Sequence, residues 1–212
     1  MAPFANDDRL KALVLHLLDT GCTMFVETGT YKGQTSAWVA QNWTGGGRTA
    51  VLTCEIDMEL HSALRPLLER EPRIGSWLMP SPAFLWMVHD MAGAEPLIFL
   101  DAHWRDDWPL LDEIKAIGEH YDRAIVIIHD FVVPGRPNFF AAAGGGGEYG
   151  KDHHRPRELD VLPTLEYIQP SLSAKHKYQW FYPAYDGEWP GYIVIFQDVE
   201  PRGKELVNGN EY

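Results

Sequence analysis

The chain of 212 residues is poor in cysteine and has no long uninterrupted apolar run. Its two cysteines, Cys22 and Cys54, form no CxxC pair, so we expect two buried thiols in a reducing compartment, with a disulfide as the alternative. Charged residues interrupt the apolar residues of segment 1–20, which predicts an amphipathic N-terminal helix and neither a signal peptide nor a membrane span. Together these features predict a cytoplasmic protein.

Basic charge is also scarce. Eighteen lysines and arginines stand against 30 acidic residues, and the formal net charge is −12. No basic stripe offsets this excess, which argues against binding to nucleic acid or to an anionic membrane surface. The composition therefore predicts a small-molecule partner, with no nucleic acid and no membrane, and it leaves a homodimer open.

The glycine patterns of nucleotide-binding loops are incomplete. The segment FVETGTYKGQTS, residues 25–36, has only Gly29 and Gly33 where a dinucleotide loop has G-x-G-x-x-G, which disfavours an NAD-linked oxidoreductase. It is no Walker loop either, because Lys32 precedes Gly33. Glu27 would repel a diphosphate, so the loop suits a cationic ligand better. S-adenosylmethionine (SAM), which carries a sulfonium and an ammonium group, is such a ligand.

Five apolar segments alternate with helical patterns, and two more apolar segments follow near the end. This order predicts an α/β fold with a doubly wound, mostly parallel sheet of seven strands and an antiparallel C-terminal pair. We expect a single domain over 1–212, with an N-terminal helix at 1–20, an irregular segment at 131–157 that forms a mobile substrate lid, and a loose polar tail at 198–212. The segment 58–70 reads as one helix, although Pro66 is an awkward interior residue.

Acidic residues cluster where the predicted strands end. Ligands of such sheets bind outside the carboxyl ends of the strands, so these side chains are candidates for chemistry. Glu55, at the end of the second strand, is placed to accept both hydroxyl groups of a ribose. The polar residues at the strand ends are Glu27, Glu55, Asp57, Asp101, His129 and Asp130.

Four segments resemble a known family. FVETGTYKGQTS, LTCEIDMEL, LIFLDAHWRDDW and IVIIHDFVVPGRPNF are similar to segments of class I SAM-dependent methyltransferases, and the resemblance covers residues 20–197. More narrowly, they resemble catechol O-methyltransferase and its metal-dependent relatives. ETGTYxG combined with LDAHW is also similar to a bacterial branch of the class I enzymes. The resemblance implies a Rossmann-like methyltransferase fold and methyl transfer to a small acceptor, with a hydroxyl oxygen favoured over nitrogen.

The resemblance also implies a set of cofactor-binding residues. They lie in the loop after the first strand, at the ends of the second and fourth strands, and after the third strand, where a simple proline-framed turn is the competing interpretation. The candidates are Glu27, Thr28, Gly29, Thr30, Tyr31, Gly33, Thr35, Glu55, Ile56, Ser81, Ala83 and Asp101.

In the family the acids after the fourth and fifth strands bind Mg²⁺, which implies Asp101 and Asp130 here. The family's lysine base has Arg105 as its nearest counterpart, and Phe131 replaces a usual asparagine. His129 is a further candidate ligand, since histidine suits Mn²⁺, Fe²⁺ or Zn²⁺ better than Mg²⁺. Strand alternation predicts that only one of His129 and Asp130 faces the site, and Asp130 is favoured. The catalytic candidates are Asp101, His103, Arg105 and Asp130, with His103 either a general base or an adenine contact.

The glycine-rich segment 141–158 is set apart by its composition. It suggests a mobile substrate lid, and the alternatives are a solvated loop without a role or a metal pair at His153 and His154. Trp104, Trp108, Tyr149 and Trp189 either line an aromatic pocket or pack ordinarily. A non-catalytic module that binds a nucleoside ligand on the same fold is the competing function.

Overall fold

A computed structural model describes residues 3–45, 47, 50–103, 108–136, 162–187, 189–203 and 206–209. The helices are α1 Asp8–Asp19, α2 Gln34–Asn42, α3 Met58–Ala63, α4 Arg65–Arg70, α5 Ser81–Ala92, α6 Leu110–His120 and α7 Leu165–Ile168. The strands are β1 Phe25–Thr28, β2 Val51–Glu55, β3 Ile74–Leu78, β4 Leu97–Leu100, β5 Ala124–His129, β6 Tyr178–Pro183, β7 Tyr192–Gln197 and β8 Leu206–Asn208. Short 3-10 turns cover Pro3–Asn6 and Gln169–Ser171.

The described strands form one sheet in the order β3-β2-β1-β4-β5-β7-β6-β8. Strands β1 to β5 pair in parallel, whereas β7 runs antiparallel to β5 and β6 antiparallel to β7. This confirms the predicted α/β architecture with its antiparallel C-terminal pair. An eighth strand was not predicted: β8, within the polar tail, pairs antiparallel with the free edge of β6.

The strand order creates a switch point between β1 and β4. Chain connections diverge to the two sides there, and the carboxyl ends of the parallel strands β1, β2, β4 and β5 lie along the same edge of the sheet. The central strands β1, β2, β4 and β5 are buried along their whole lengths, which explains their continuously apolar sequences. The core therefore fixes the strand ends that carry the candidate residues.

The predicted single helix at 58–70 is wrong. Helix α3 ends at Ala63 and α4 begins at Arg65, so the break at Leu64 places Pro66 in the first turn of the second helix. A proline is tolerated there because the first amides of a helix have no partner within it, whereas in an interior turn it removes a hydrogen bond.

Other expectations concern membrane spans, the cysteines and the lid. Among the described residues, no helix is both long enough and apolar enough to cross a membrane. Cys22 and Cys54 are both buried and unpaired, which confirms the predicted thiols. Residues 104–107 and 137–161 lie outside the described residues, and with them Trp104, Arg105, Tyr149, the pair His153 and His154, and most of the predicted lid.

Candidate active site at the carboxyl edge of the sheet

The loop after β1 follows a tightly constrained path. Gly29 and Gly33 have φ values of 78° and 70°, and Tyr31 between them also has a positive φ, 48°. A Cβ atom on Gly29 would lie 2.7 Å from the carbonyl oxygen of Asp101. The amides of Gly29 and Thr30 both donate to the carbonyl of Cys54, at 3.1 and 3.0 Å. Glycine is therefore required at position 29, where the loop passes directly against the end of β4.

Glu27 lies beneath this loop and is 2% exposed. Its carboxylate accepts hydrogen bonds from the hydroxyls of Ser36 and Thr53, the latter at 3.2 Å. Burial raises the pKa of Glu27 to about 8, with the hydrogen bond from Ser36 opposing and the charge of Asp101 adding to the rise. Through these two hydrogen bonds Glu27 stabilises the position of the loop.

Glu55 is held by the backbone on both of its carboxylate oxygens. Oε2 accepts from the amide of Tyr31 at 2.8 Å, and Oε1 accepts from the amides of Ile56 and Asp57 at 2.9 and 3.0 Å. A carboxylate has about four acceptor positions, so acceptor capacity remains for a ligand. Ile56 beside it is 44% exposed. A fixed carboxylate next to exposed apolar surface suits a ligand with hydroxyl groups and a flat apolar part.

The ends of β4 and β5 bring Asp101, His129 and Asp130 together. The Nδ1 atom of His129 lies 3.1 Å from Oδ1 of Asp101 and 3.5 Å from Oδ1 of Asp130. The expectation that only one of His129 and Asp130 faces the site is therefore wrong. The strand ends at His129, and Asp130 has a left-handed φ of 57° that breaks the side-chain alternation.

The imidazoles of His129 and His103 pair with the carboxylates of Asp101 and Asp130. Burial alone would lower the pKa of His129, but the charges of Asp101 and Asp130 outweigh it and raise that pKa to about 9. The hydrogen bond with Asp130 raises the pKa of His103 to about 9, and the two groups approach to 3.4 Å (Nε2 to Oδ2). Both shifts favour the imidazolium form, so a metal ion bound at His129 would have to displace the proton from the coordinating nitrogen.

The donor set also fits a divalent metal ion. One ligand atom from each of Asp101, His129 and Asp130 lies within 4.8 Å of the other two. Adjacent donors about 2.1 Å from an ion lie roughly 3.0 Å apart in octahedral and roughly 3.4 Å apart in tetrahedral geometry, close to the spacings from His129. Phe131 is fully buried against Tyr182 and supplies no ligand. Three protein donors, one of them an imidazole, are compatible with such an ion.

A small cleft lies beside this cluster, with a volume of about 10 Å³, roughly the space of one water molecule. Apolar and ionisable side chains contribute equally to its lining. Trp108, which stacks on Tyr167 at 6.0 Å, lines it, whereas Trp189 is not among the lining residues. The lining comprises Leu100, Asp101, Ala102, His103, Trp108, Leu110, Glu113, Ile128, His129 and Asp130.

Glu113 is the cleft residue that the sequence interpretation missed. It lies in the first turn of α6 and is 1% exposed. Burial raises the pKa of Glu113 to about 7, while the nearby hydroxyls of Ser81 and Thr28 oppose the rise. The sequence does contain a signal for this residue, because Glu113 is an acid on the apolar face of an amphipathic helix, between Leu110 and Ile117.

The remaining candidates lie along the same edge. Thr28 accepts a hydrogen bond from the amide of Asp101 at 3.4 Å, and Thr30 pairs with Thr53 at 2.6 Å. Ser81 is buried at the start of α5, and Ala83 two residues later is exposed. Thr35 is half-buried in the first turn of α2. The structure thus brings all described candidates to one edge of the sheet, with Ala83 on its outer rim.

A buried aspartate near the N-terminus was also missed. Asp7 caps α1 by accepting from the amides of Arg9 and Leu10, and it accepts from the hydroxyl of Tyr185 at 2.6 Å. Its charge contributes to the raised pKa of His129. The N-terminal segment therefore adds to the electrostatics of the cluster.

The sequence matches no family model and no curated protein. The structure, however, resembles solved methyltransferases. An O-methyltransferase from Bacillus cereus in complex with SAH has a TM-score of 0.58 at 17% identity, with 92% of this chain and 84% of that chain covered. The chain has the methyltransferase fold.

Two further structures share that fold. TomG, an O-methyltransferase from Streptomyces achromogenes involved in tomaymycin synthesis, was solved in complex with SAM and has a TM-score of 0.57 at 16% identity; 90% of this chain and 80% of TomG are covered. A SAM-dependent methyltransferase from Aquifex aeolicus has a TM-score of 0.51 at 13% identity, covering 92% of this chain and 95% of that chain. Identities this low establish the methyltransferase fold and leave the chemistry to the residues of this chain.

Proposed function

We propose that this protein transfers a methyl group from SAM to a hydroxyl oxygen of a small molecule. The observation that carries the proposal is the convergence of three elements at one edge of a methyltransferase fold. These are the tight loop at Gly29, the carboxylate of Glu55 fixed by three backbone amides, and the cluster of Asp101, His129 and Asp130. The solved neighbours that bind SAM or SAH support it.

The cofactor is assigned to the side of the cleft formed by β1 and β2. Three of the roughly four acceptor positions of Glu55 are used by backbone amides, so Glu55 would accept one of the two ribose hydroxyls, and Ile56 would pack against the base. The loop at Gly29 passes close enough to β4 to contact the methionine part, while Glu27 braces that loop. Ser81 and Ala83 begin the helix that borders the base. The sulfonium supplies an already activated methyl group, so the protein's main task is alignment.

A divalent ion is assigned to Asp101, His129 and Asp130. Its chemistry would be to polarise the acceptor oxygen and to favour loss of that oxygen's proton. The imidazole donor points to Mn²⁺, Fe²⁺ or Zn²⁺ as candidates beside Mg²⁺. His103 is exposed beside Asp130, so its Nε2 atom is placed to exchange a proton with an acceptor. Trp108 would exclude water from the cleft.

The wider setting follows from the same features. An acidic chain suits neither nucleic acid nor a membrane surface, and we assign it a small-molecule acceptor. The buried free thiols agree with a cytoplasmic location. A homodimer would be tested by light scattering.

A non-catalytic module that binds the nucleoside ligand is the second candidate. One observation favours it: the cleft beside Asp101, His129 and Asp130 has a volume of only about 10 Å³, which leaves little room for an acceptor. Such a module would bind the ligand but lack a competent acceptor site.

The experiment that separates these functions is methyl transfer from radiolabelled SAM to a library of small metabolites bearing hydroxyl and amine groups. The enzyme hypothesis predicts product with at least one hydroxyl acceptor, reduced by chelation and restored by a divalent metal. Binding of SAM without turnover of any acceptor would favour the module. Absence of SAM binding would contradict both.

A further inference from the structure

The segment from Pro3 to Asp7, ahead of α1, follows a strained path. Three consecutive residues that are not glycine have left-handed φ values: 50° at Phe4, 50° at Ala5 and 68° at Asn6. A side chain is crowded by its own backbone in this region, so such a turn persists only where contacts with the rest of the fold hold it. Those contacts are made by the two buried residues at its ends, Phe4 and Asp7.

Phe4 packs behind the candidate metal site. Its ring meets that of Phe99 edge-on, with the ring centroids 5.2 Å apart. The ring of Phe99 in turn lies 5.4 Å from the imidazole of His129. Phe99 and His129 project from the same face of the sheet, because Phe99 pairs with the residue two positions before His129. One ring therefore separates the N-terminal segment from the imidazole.

Asp7 reaches the same imidazole through a chain of hydroxyl groups. Its Oδ2 atom accepts from the hydroxyl of Tyr185 at 2.6 Å, and that hydroxyl lies 3.0 Å from the hydroxyl of Tyr192. Because Tyr185 gives its single proton to Asp7, Tyr192 is the donor in the second hydrogen bond. Tyr192 is the cross-strand partner of His129, so these two side chains stand next to each other on one face of the sheet. All four residues are buried.

The imidazole of His129 requires support of this kind. Its Nδ1 atom faces Oδ1 of Asp101 at 3.1 Å and Oδ1 of Asp130 at 3.5 Å. A half-turn of the ring about its Cβ–Cγ bond would put a carbon atom in the place of Nδ1. The torsion about that bond has a broad, roughly two-fold preference, so it does not by itself select one orientation. The neighbouring side chains must therefore select it.

We propose that Asp7 and Tyr185 are positioning residues for the metal site. Through Tyr192 they hold the imidazole of His129 in the orientation that presents Nδ1 to the two aspartates. The inference rests on the proposed metal assignment and deepens it. It also gives the strained N-terminal turn a role, since that turn delivers Asp7 to a tyrosine 178 positions away in the sequence.

The first test is the Mn²⁺ affinity of Tyr185→Phe, measured by calorimetry without SAM and without turnover. The change keeps the ring but removes the hydroxyl that joins Asp7 to Tyr192. Losing an outer partner of a metal ligand costs about 10–100-fold in affinity, and we expect the lower end, about tenfold, because Tyr185 acts through a second residue. Affinity for S-adenosylhomocysteine (SAH) should change by less than about twofold, since Glu55 lies in the other half of the edge.

Asp7→Asn tests the other end of the chain. Asparagine caps a helix as well as aspartate does, so α1 should keep its start, while the charged acceptor of Tyr185 is lost. We expect Mn²⁺ affinity to fall about fivefold, because a hydrogen bond to a charged group is stronger than one to a neutral group. The double variant with Tyr185→Phe should lose little more than Tyr185→Phe alone, since both changes break one chain.

Tyr121→Phe is the matched control. Tyr121 is 4% exposed against 6% for Tyr185, and its hydroxyl donates to the carbonyl of Leu85 at 2.8 Å, between α6 and α5. The change removes a buried hydroxyl and its hydrogen bond away from the cluster, so the thermal midpoint should fall here as well. Mn²⁺ affinity should stay within about twofold of the wild type.

The outcomes separate this inference from the proposed function. If Tyr185→Phe binds Mn²⁺ as tightly as the wild type, the inference is wrong and the metal assignment stands. If Tyr121→Phe loses as much Mn²⁺ affinity as Tyr185→Phe, the loss reflects general destabilisation and the inference is again wrong. Should Tyr185→Phe not fold, unchanged Mn²⁺ affinity in Asp7→Asn overturns it. If the wild type binds no Mn²⁺, the metal assignment fails and the inference with it, whereas SAH binding would still support the methyltransferase function.

Discussion

The two halves of the carboxyl edge satisfy their acids in different ways. In the half formed by β1 and β2, Glu55 accepts from three backbone amides and Glu27 from two hydroxyls. In the half formed by β4 and β5, Asp101 and Asp130 face the imidazoles of His129 and His103. Backbone and hydroxyl donors are fixed parts of the fold, whereas the imidazole protons can be exchanged.

This difference assigns separate tasks to the two halves. Fixed neutral donors preorganise the first half, so that a ligand meets acceptors already in position. The second half holds exchangeable protons on His129 and His103. We therefore expect substitutions in the first half to change cofactor affinity and those in the second to change metal binding and pH dependence.

The largest effect is expected for Glu55→Ala. It removes the acceptor assigned to the ribose and also frees the amides of Tyr31, Ile56 and Asp57. SAH affinity measured by calorimetry should fall about a hundredfold or more, since charged hydrogen bonds contribute about 1.5–3 kcal/mol each. Glu69→Ala, on an exposed face of α4, is the control and should bind normally. Unchanged SAH affinity in Glu55→Ala would contradict the assignment of the cofactor to the half formed by β1 and β2.

Asp130→Asn should act on the other half alone. The change keeps the shape of the side chain but removes a charged metal ligand, so Mn²⁺ affinity should fall at least about tenfold by calorimetry. SAH affinity without metal should change little, because Asp130 is outside the loop and Glu55 region. Full activity of the wild type after chelation, together with unchanged activity in Asp130→Asn, would eliminate the metal site.

The pH dependence of stability should reveal the buried acids. The pKa values of Glu27 and Glu113, about 8 and about 7, lie above the ordinary value of 4.5, so the native state binds more protons than the unfolded state between these values. Their contribution to stability is full below about pH 4.5 and is lost as the pH rises through about 8, on the order of several kcal/mol in total.

Urea unfolding between about pH 5 and pH 8 measures this slope. Replacing Glu27 and Glu113 together with glutamine should flatten it, while Asp112→Asn, a change at an exposed acid, should leave it intact. If the free energy of unfolding changes equally steeply with pH in the double variant, the two carboxyls are not the cause of the pH dependence. The raised pKa values of His103 and His129 act in the same direction above about pH 6.5, so some slope should remain.

The smallest effect is expected for Ser36→Ala. It removes one of the hydroxyl donors of Glu27, and losing a partner of a buried carboxyl should lower the free energy of unfolding by about 1 to 2 kcal/mol. Ser62→Ala on the exposed side of α3 is the control and should change stability by less than about 0.5 kcal/mol. If both variants unfold alike, the bracing of the loop by Glu27 is weaker than the geometry suggests.

The fold was largely predictable because β1, β2, β4 and β5 are buried throughout and read as apolar runs bounded by helices. Strand β8 was not, since its three half-buried residues carry too little pattern and form a strand only through pairing with β6. The acids at the strand ends were predictable from topology, which brings carboxyl ends of parallel strands together.

The parts of the site that the sequence interpretation missed depend on local geometry or on tertiary contacts. Alternation placed His129 and Asp130 on opposite faces, but the left-handed φ of Asp130 returns both to the cluster. Glu113 was visible as an acid on an apolar face, yet its place beside Ser81 and Thr28 follows from the packing of α6 against α5. Neither feature is encoded in the periodicity of one element.

The most direct test of the central claim is a crystal structure of the protein grown with SAH and a divalent metal. We expect the ribose on Glu55, the base against Ile56, and one ion shared by Asp101 and Asp130. Density for SAH at another surface, or a cleft with neither SAH nor an ion at saturating concentrations of both, would contradict it.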